Sequence, residues 1–422
     1  MRISRRDLIR ASGACALTPL WACAGQERGA SAVATNALDE LKPMTEGLEP
    51  ISLAEHRGRI ERAQRLMGEL GFDALVLGPG TNLTYFSGVS WGLSERFMGM
   101  VLTREGDPAW VTPAFEQRRA EEQIEIGSDV RPWQEHESPY DLVAKILKDR
   151  KAGGGRVGLG ERLSFQFANG IAQSCPAAEI QDGTKITAGC RMIKDAHELA
   201  LMRRANQITV AAHRAVFASL QPGLTQGEAR RLSSEAHRRL GISGGSLILF
   251  GADAAFPHGT TKPKPLEEGD LVLIDGGGRL HGYSSDITRT AVFGEPTAKQ
   301  RRLWQLVRDA QQAAFEIARP GVECQALDAA ARLVLEQGGF GPDYRYLTHR
   351  LGHGIGMDGH EWTYLVRGNT TLLEPGMCFS NEPGIYIPGE LGIRHEDIIT
   401  ITEAGAENLT RWSGTPEDPA VV

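Results

Sequence analysis

Three features of the sequence predict an α/β (α+β) chain in two parts. Helical and strand patterns alternate through the N-terminal part, two helix-helix-strand-strand modules follow, and the strands of those modules end on carboxylates. The repeat shows in its punctuation. Gln221-Pro222-Gly223-Leu224-Thr225 and Arg319-Pro320-Gly321-Val322-Glu323 each separate two helix-like runs. Leu266-Glu267-Glu268-Gly269-Asp270 and Leu373-Glu374-Pro375-Gly376-Met377 each precede an apolar strand, with Asp275 six residues beyond Gly269 and Glu382 six beyond Gly376. A pseudo-twofold pair of modules thus brings an acidic residue to the same place twice, which suits a clamp for two cations.

Leu271-Val272-Leu273-Ile274 reads as a fully buried strand, and it ends on Asp275. An unpaired carboxylate at the mouth of a core costs several kcal/mol or more. The glycines after it and Tyr283 are read as the turn, and Asp286 opens the next strand (Ile287-Thr288-Arg289-Thr290-Ala291-Val292). Two carboxylates on one hairpin repel unless a cation lies between them, but turn residues would serve the same pattern. Three later stretches shift the balance. Gly352-His353-Gly354-Ile355-Gly356 presents an imidazole on glycine-flanked backbone, Phe379-Ser380-Asn381-Glu382-Pro383-Gly384 ends a strand on a carboxylate, and Arg394-His395-Glu396-Asp397-Ile398-Ile399 supplies another. The set is oxygen and nitrogen donors with no thiolate. It suits Mn, Co or Zn, and its excess of negative charge suits two ions.

In this order and in these strand contexts, Asp275, Asp286, His353, Glu382 and Glu396 resemble the ligands of the pita-bread metallopeptidases of family M24, in the Xaa-Pro aminopeptidase and prolidase branch. The resemblance spans residues 53–410. It implies a creatinase/prolidase-like α/β domain that overhangs the cleft and contributes to homodimer contacts, followed by a pita-bread catalytic domain. It implies that Asp275 chelates one ion, Asp286 and Glu396 bridge two, and His353 and Glu382 complete the second, with Mn the expected metal and Co or Zn the alternatives. It places His258 and His360 in the substrate pocket, where they stabilise the tetrahedral intermediate. Arg394 becomes a carboxylate-binding group or a support for Glu396, and Glu382 the proton shuttle. The implied reaction is hydrolysis of Xaa-Pro bonds in short peptides by a hydroxide held between two ions roughly 3.5–4 Å apart. A lone histidine is ordinarily structural; Phe256-Pro257-His258-Gly259 and Asp358-Gly359-His360-Glu361 are the contexts that single these two out, although Gly359 leaves its loop less apolar than the family's usual pattern. A metal-free creatinase-like amidohydrolase or a non-catalytic, surface-tethered peptide-binding protein on this fold would lack several of the five ligands, and all five are present. A methionine-removing aminopeptidase shares the ligands, but not the long N-terminal domain.

The 422 residues, 41% apolar, suffice for two domains. The net charge of −7, with no sustained Lys/Arg stripe, argues against nucleic acid as a partner. No apolar run approaches the roughly 20 residues that span a bilayer.

Residues 1–50 read as an address and a flexible tether. Ser4-Arg5-Arg6-Asp7-Leu8-Ile9-Arg10 resembles a twin-arginine export signal, which implies the periplasm. Leu20-Trp21-Ala22-Cys23 resembles a lipoprotein cleavage box that would make Cys23 a lipid anchor, while Ala22-Cys23-Ala24 serves equally as an ordinary cleavage site. Export permits a Cys175–Cys190 disulfide, with buried free thiols as the alternative, and Cys378 packs in its strand as a small hydrophobe.

The N-terminal domain is assigned to residues 51–190. Ser52-Leu53-Ala54-Glu55 is a capping box for a helix that ends at Gly71; strand Ala74-Leu75-Val76-Leu77, a Gly-Pro-Gly turn and apolar Leu83-Thr84-Tyr85-Phe86 follow. A hairpin turning at residues 105–108, a helix over residues 140–148 and a strand from Arg156 complete the pattern, and no chemical cluster is visible. Trp91 either narrows the substrate cleft or packs under its own loop. The catalytic domain is assigned to residues 191–415. It opens on a long helix with Leu199, Met202, Ala205, Ile208, Ala212 and Val216 on one face, and Thr225 caps the next helix.

Overall fold

The structure, a computed structural model, describes residues 37–420; the twin-arginine-like motif, Cys15 and Cys23 lie outside the described residues. α1 (Leu53–Leu70) begins at Ser52, whose hydroxyl accepts the Glu55 N–H while the Glu55 carboxylate accepts the Ser52 N–H, and it stops at Gly71 in the left-handed region at φ 75°. It is followed by β1 (Ala74–Leu77), α2 (Thr81–Ser87), β2 (Gly99–Thr103), β3 (Ala109–Pro113), α3 (Gln117–Glu121), β4 (Asp129–Trp133), α4 (Pro139–Asp149), β5 (Arg156–Leu159), α5 (Phe165–Ser174), β6 (Glu179–Asp182) and α6 (Thr184–Arg191). The strands form one mixed sheet in the order β4-β3-β2-β1-β5-β6. Alternate residues of β1 feed different cores: Leu75 and Leu77 pack with α1, Ala74 and Val76 with α4 and α5. That is why the strand reads as an unbroken apolar run.

The first helix-helix-strand-strand module contains α7 (Ala196–Ala218), α8 (Gln226–Arg239), β7 (Ser243–Phe250), β8 (Leu271–Leu280), β9 (Tyr283–Ser284) and β10 (Ile287–Val292). The second contains α9 (Ala298–Ile317), α10 (Cys324–Gln337), β11 (Gly352–Gly354), β12 (Glu361–Leu365), β13 (Cys378–Asn381), β14 (Gly384–Ile387), β15 (Leu391–Arg394), β16 (Asp397–Thr402) and β17 (Gly405–Asn408). β8 lies between β10 and β7 in one sheet, and the other runs β12-β11-β13-β16-β17. The sheets meet at one bridge, where Glu396 N–H donates to Thr288 O at 3.1 Å and Thr288 N–H donates to Glu396 O at 3.3 Å. Backbone pairing therefore fixes a residue of each module at the seam.

Several expectations are corrected, and two alternatives left open by the sequence are resolved. Leu83-Thr84-Tyr85-Phe86, to which the sequence assigns no element, belongs to helix α2, closed by Gly88 at φ 76°; so short a stretch carries no usable period. The glycines after Asp275 do not turn the chain. β8 runs through them to Leu280, and the turn falls at His281 (φ 47°) and Gly282 (φ 91°). Their smallness serves close approach instead, since a Cβ on Gly276 or Gly277 would strike the carbonyl of Gly245 or Ser285. The predicted tether is not free over residues 37–50. Leu38 is buried against α7 and α8, Met44 N–H donates to Leu240 O at 3.0 Å, and Arg204 donates to Met44 O at 2.7 Å. The second module carries the β14–β15 hairpin between Glu382 and Glu396, where the first has the β8–β9 hairpin between Asp275 and Asp286. Cys175, Cys190, Cys324 and Cys378 are all free and buried, so no Cys175–Cys190 bridge forms. Trp91 packs on the α1–α2 core with the Arg119 guanidinium 4.5 Å from its ring, which is the packed alternative rather than a cleft wall.

Candidate metal centre

Asp275 sits midway along β8, opposite Thr288 of β10. Asp286 precedes β10 and has its N–H held by Asn206 of α7 at 3.3 Å. His353 is the middle residue of β11, Glu382 follows β13, and Glu396 lies between β15 and β16. The five come together. Donor atoms of Asp275, Asp286 and Glu396 lie within 4.8 Å of one another, as do those of His353, Glu382 and Glu396. Asp286, His353 and His360 form a third such group. Glu396 belongs to both carboxylate-rich groups, and Asp286 faces both sides.

Hydrogen bonds set the direction of each donor. His353 Nδ1 lies 3.0 Å from the Gly354 carbonyl, which can only accept, so the ring proton sits there and Nε2 is left to ligate. That Nε2 is 3.3 Å from Glu382 Oε1 and 3.9 Å from Asp286 Oδ2. Ser380 accepts the His353 N–H at 2.9 Å and donates to Glu382 Oε1 at 3.0 Å, coupling backbone and carboxylate. His360 stacks on His353, ring centroids 3.7 Å apart and planes 13° from parallel. Its Nδ1 accepts from Arg350 Nη2 at 3.3 Å; because guanidinium only donates, the His360 proton is on Nε2. His258 is exposed and near His360, close enough for their charges to interact.

Arg394 is deeply committed. Nη2 donates to Asp275 Oδ2 at 2.6 Å, Nε to Thr288 Oγ1 at 3.2 Å and Nη1 to Tyr386 Oη at 2.8 Å. It orients Asp275 and reaches Glu396 only through Thr288, so of the two roles expected for it the supporting one fits these contacts. Tyr386 passes the chain on, donating to His349 Nε2 at 2.7 Å, and His349 Nδ1 donates to Arg350 O at 2.7 Å. The pattern of the sequence does not single out Thr288, Tyr386, His349, Arg350 or Ser380. Thr288 and Ser380 carry a faint signal there: each lies two residues from a candidate ligand, Asp286 and Glu382, the spacing that returns a side chain to one face of an extended chain.

The charges do not balance without cations. Burial, then the neighbouring Asp275 carboxylate, raises Asp286 to about 7. Burial, then Asp286, Glu382 and Asp275, raises Glu396 well above the carboxylate range. Burial alone would raise Glu382 too, but the His353 hydrogen bond and the charges of His353, His349 and Arg394 outweigh it and hold Glu382 at about 2. Burial, then His353, lowers His360 to about 4. The Thr288 hydroxyl makes the same point sterically. It is 2.9 Å from Asp275 Oδ1 and 2.6 Å from Glu396 Oε2, yet it has one proton to give. A second proton on one carboxylate, or positive charge among them, must complete the arrangement. Four carboxylates and one imidazole fit divalent cations, and such ions would displace that proton.

Residues 200–403 match metallopeptidase family M24, and residues 59–193 match the creatinase/prolidase N-terminal domain. The probable dipeptidase PepE of Mycobacterium tuberculosis is 35% identical over 367 residues, covering 83% of this chain and 93% of that protein. The Xaa-Pro dipeptidase of Pyrococcus furiosus is 32% identical over 361 residues, covering 84% and 97%. The crystal structure of dipeptidase PepE from Mycobacterium ulcerans superposes with a TM-score of 0.80 at 31% identity, covering 88% of this chain and 99% of that one. With the donor set in place on this fold, the chain belongs to metallopeptidase family M24 and carries the creatinase/prolidase N-terminal domain ahead of it.

Proposed function

We propose that the chain hydrolyses the bond preceding proline in short peptides, with divalent cations held by Asp275, Asp286, His353, Glu382 and Glu396. What carries this reading is the overlap of two donor groups on Glu396, in a site where carboxylates outnumber the cations of the chain itself. Members of the family use divalent metals, and manganese is the ion proposed here, with cobalt and zinc as substitutes. Such ions, when bound, supply Lewis acidity toward the scissile carbonyl and a water activated near neutral pH.

The chain's own groups do the rest. Glu382 would accept the proton of the attacking water and return it to the prolyl nitrogen as that nitrogen leaves. His360 presents its Nε2–H to the carbonyl oxygen as negative charge develops there, with Arg350 fixing the tautomer from the other side. His258 lines the same side of the pocket. An amide nitrogen inside a proline ring has no hydrogen, so recognition must rest on the ring and on the peptide's end rather than on backbone pairing.

Metal-stripped protein is expected to stop releasing proline from Xaa-Pro dipeptides and to recover with added Mn. The affinity for the ion should rise with pH between 6 and 8. Asp286, raised to about 7, is mostly protonated at the lower end and mostly ionised at the upper, so an entering cation must displace fewer protons as pH rises. Calorimetry in buffers of different ionisation enthalpy reads those protons. Unimpaired turnover after exhaustive chelation, or a pH-independent affinity, would refute the reading.

The same proposal extends to location. Ser4-Arg5-Arg6 supports export by the twin-arginine route to the periplasm, with Cys23 as the lipid attachment point. Arg5→Lys combined with Arg6→Lys should retain the protein in the cytoplasm, and Cys23→Ala should release it from the membrane fraction. Fractionation unchanged by both would count against export and anchoring alike.

A further inference from the structure

We infer that Arg191 and Thr81 are positioning residues for His360: through Asp358 and Glu361 they fasten the His360 loop to the N-terminal domain, which thereby completes the site. The inference rests on the Xaa-Pro reading above, in which His360 meets the developing oxyanion.

His360 is poorly held by its own position. It is exposed on the connection between β11 and β12, and Gly359 before it has open space where a side chain would stand. Its neighbours in the chain are the reverse. Asp358 and Glu361 are buried carboxylates, met by side chains from outside the loop. Arg191, the last residue of α6, donates through Nη2 to both, to Asp358 Oδ2 at 2.7 Å and also to Glu361 Oε1. Thr81, the first residue of α2, donates its hydroxyl to Asp358 Oδ1 at 2.6 Å. Lys194, where the chain crosses into the catalytic domain, donates to Glu361 Oε2 at 3.1 Å. Glu361 Oε1 also accepts the Asp358 N–H at 3.1 Å, so the two anchors brace each other across His360. Burial would raise Glu361, but Lys194 and Arg191 outweigh it and hold it at about 2, so the anchor is charged.

The donors are themselves fixed within the N-terminal domain. Arg191 Nη1 donates to Asn82 Oδ1 at 2.9 Å, Asn82 Nδ2 to Glu161 Oε2 at 2.7 Å, and Thr187 Oγ1 to that same oxygen at 2.7 Å. α2, α6 and the segment after β5 thus converge on one guanidinium. The side chains of Arg191 and Glu361 are 6% and 5% exposed. In so dry a place each bond is directional and an unpaired group is costly, so the loop has one favoured seating.

Joining the domains does not by itself require this cluster. Arg59 of α1 joins them at a second point, donating to Tyr283 Oη at 2.6 Å and to Glu198 of α7 at 3.3 Å, while Tyr283 donates to Glu198 at 2.6 Å. What sets the Arg191 cluster apart is its place, two residues before His360 and one after. The ring of His360 is met on the metal side by His353 and Arg350, and its backbone is held from the opposite domain. A shift of about 1 Å in a group that meets the transition state can cost on the order of 10²-fold in rate.

The test crosses Thr81→Val, Thr81→Ser and Arg191→Lys with His360→Ala, using Mn-loaded protein and an Xaa-Pro dipeptide. With His360 present, Thr81→Val should lower kcat about 3- to 10-fold and Arg191→Lys about 10- to 100-fold, with KM and metal content nearly unchanged. Thr81→Ser, which keeps the hydroxyl, should recover most of the Thr81→Val loss. In the His360→Ala background both losses should vanish, because the residue they act through is gone. Hydrogen exchange of the metal-free proteins reads the same effect without turnover: amides 355–361 should exchange roughly tenfold faster in Thr81→Val and Arg191→Lys, with α7 unchanged. Losses of equal size in both backgrounds would make the cluster a general brace and overturn the inference. So would wild-type protection of residues 355–361 in both variants. Metal-loaded wild type that cleaves no Xaa-Pro peptide would bring down the Xaa-Pro reading itself, and this inference with it.

Discussion

Glu396→Gln is expected to cut turnover by roughly 10³-fold or more, several kcal/mol of transition-state stabilisation, while leaving the metal-free protein at least as stable as wild type. Both halves follow from one position. Glu396 is the residue common to the Asp275–Asp286 group and to the His353–Glu382 group, so removing its charge weakens cation binding on both sides. Its backbone is tied to Thr288 through both N–H and carbonyl, so the seam between the sheets survives the change. Burial and three neighbouring carboxylates raise Glu396 well above the carboxylate range, so without cations its ionised form is a cost to the folded state that an isosteric amide does not carry. The readouts are metal content per chain, kcat, and the rise in Tm on adding Mn, which should shrink because that rise tracks the free energy of binding to the native state. Wild-type metal content with near-normal turnover would remove Glu396 from the centre of the site.

What the sequence could reveal divides along physical lines. Asp275 and Glu382 were legible because a carboxylate that closes a run of apolar residues is an expensive arrangement, and the two matching Gly269 and Gly376 turns placed both at the same point of a repeat. The capping boxes at Ser52 and Thr225 were legible because their signal is local, four residues long. The β8 turn was misread because Gly276 and Gly277 look like turn residues; only the packed neighbours reveal that they admit the Gly245 and Ser285 carbonyls. The docking of residues 37–50 was invisible for a similar reason. Leu38, Leu41, Met44 and Leu48 recur every three or four residues, but the stretch forms turns rather than a helix, and they are ordered by an apolar face of α7 and α8 far along the chain. The Arg394–Tyr386–His349 chain joins the β14–β15 hairpin to the loop before β11, a contact between segments 37 residues apart that no local pattern encodes.

The largest structural cost is expected from Arg289→Met, about 3–5 kcal/mol, because it strands a buried charge at the joint between the modules. Arg289 and Asp397 are both 0% exposed and pair at 2.6 Å. Arg289 also donates to the carbonyls of Thr288 at 3.1 Å, Glu396 at 2.8 Å and Arg411 at 3.0 Å, so its charge is met by strands from both sheets. Asp397 keeps only Thr410 and Gln311 as donors, at 2.7 and 3.1 Å, once the guanidinium is gone. The fall in Tm should be roughly 5–10 °C for a chain of this size. Adding Asp397→Asn should recover part of it, since an amide in that pocket costs far less than an unpaired carboxylate. Activity should fall as well, because the Glu396 carbonyl that Arg289 holds belongs to the residue shared by both donor groups. A loss below about 1 kcal/mol, or a double variant no more stable than Arg289→Met alone, would show that the pair is not what joins the two sheets behind the metal centre.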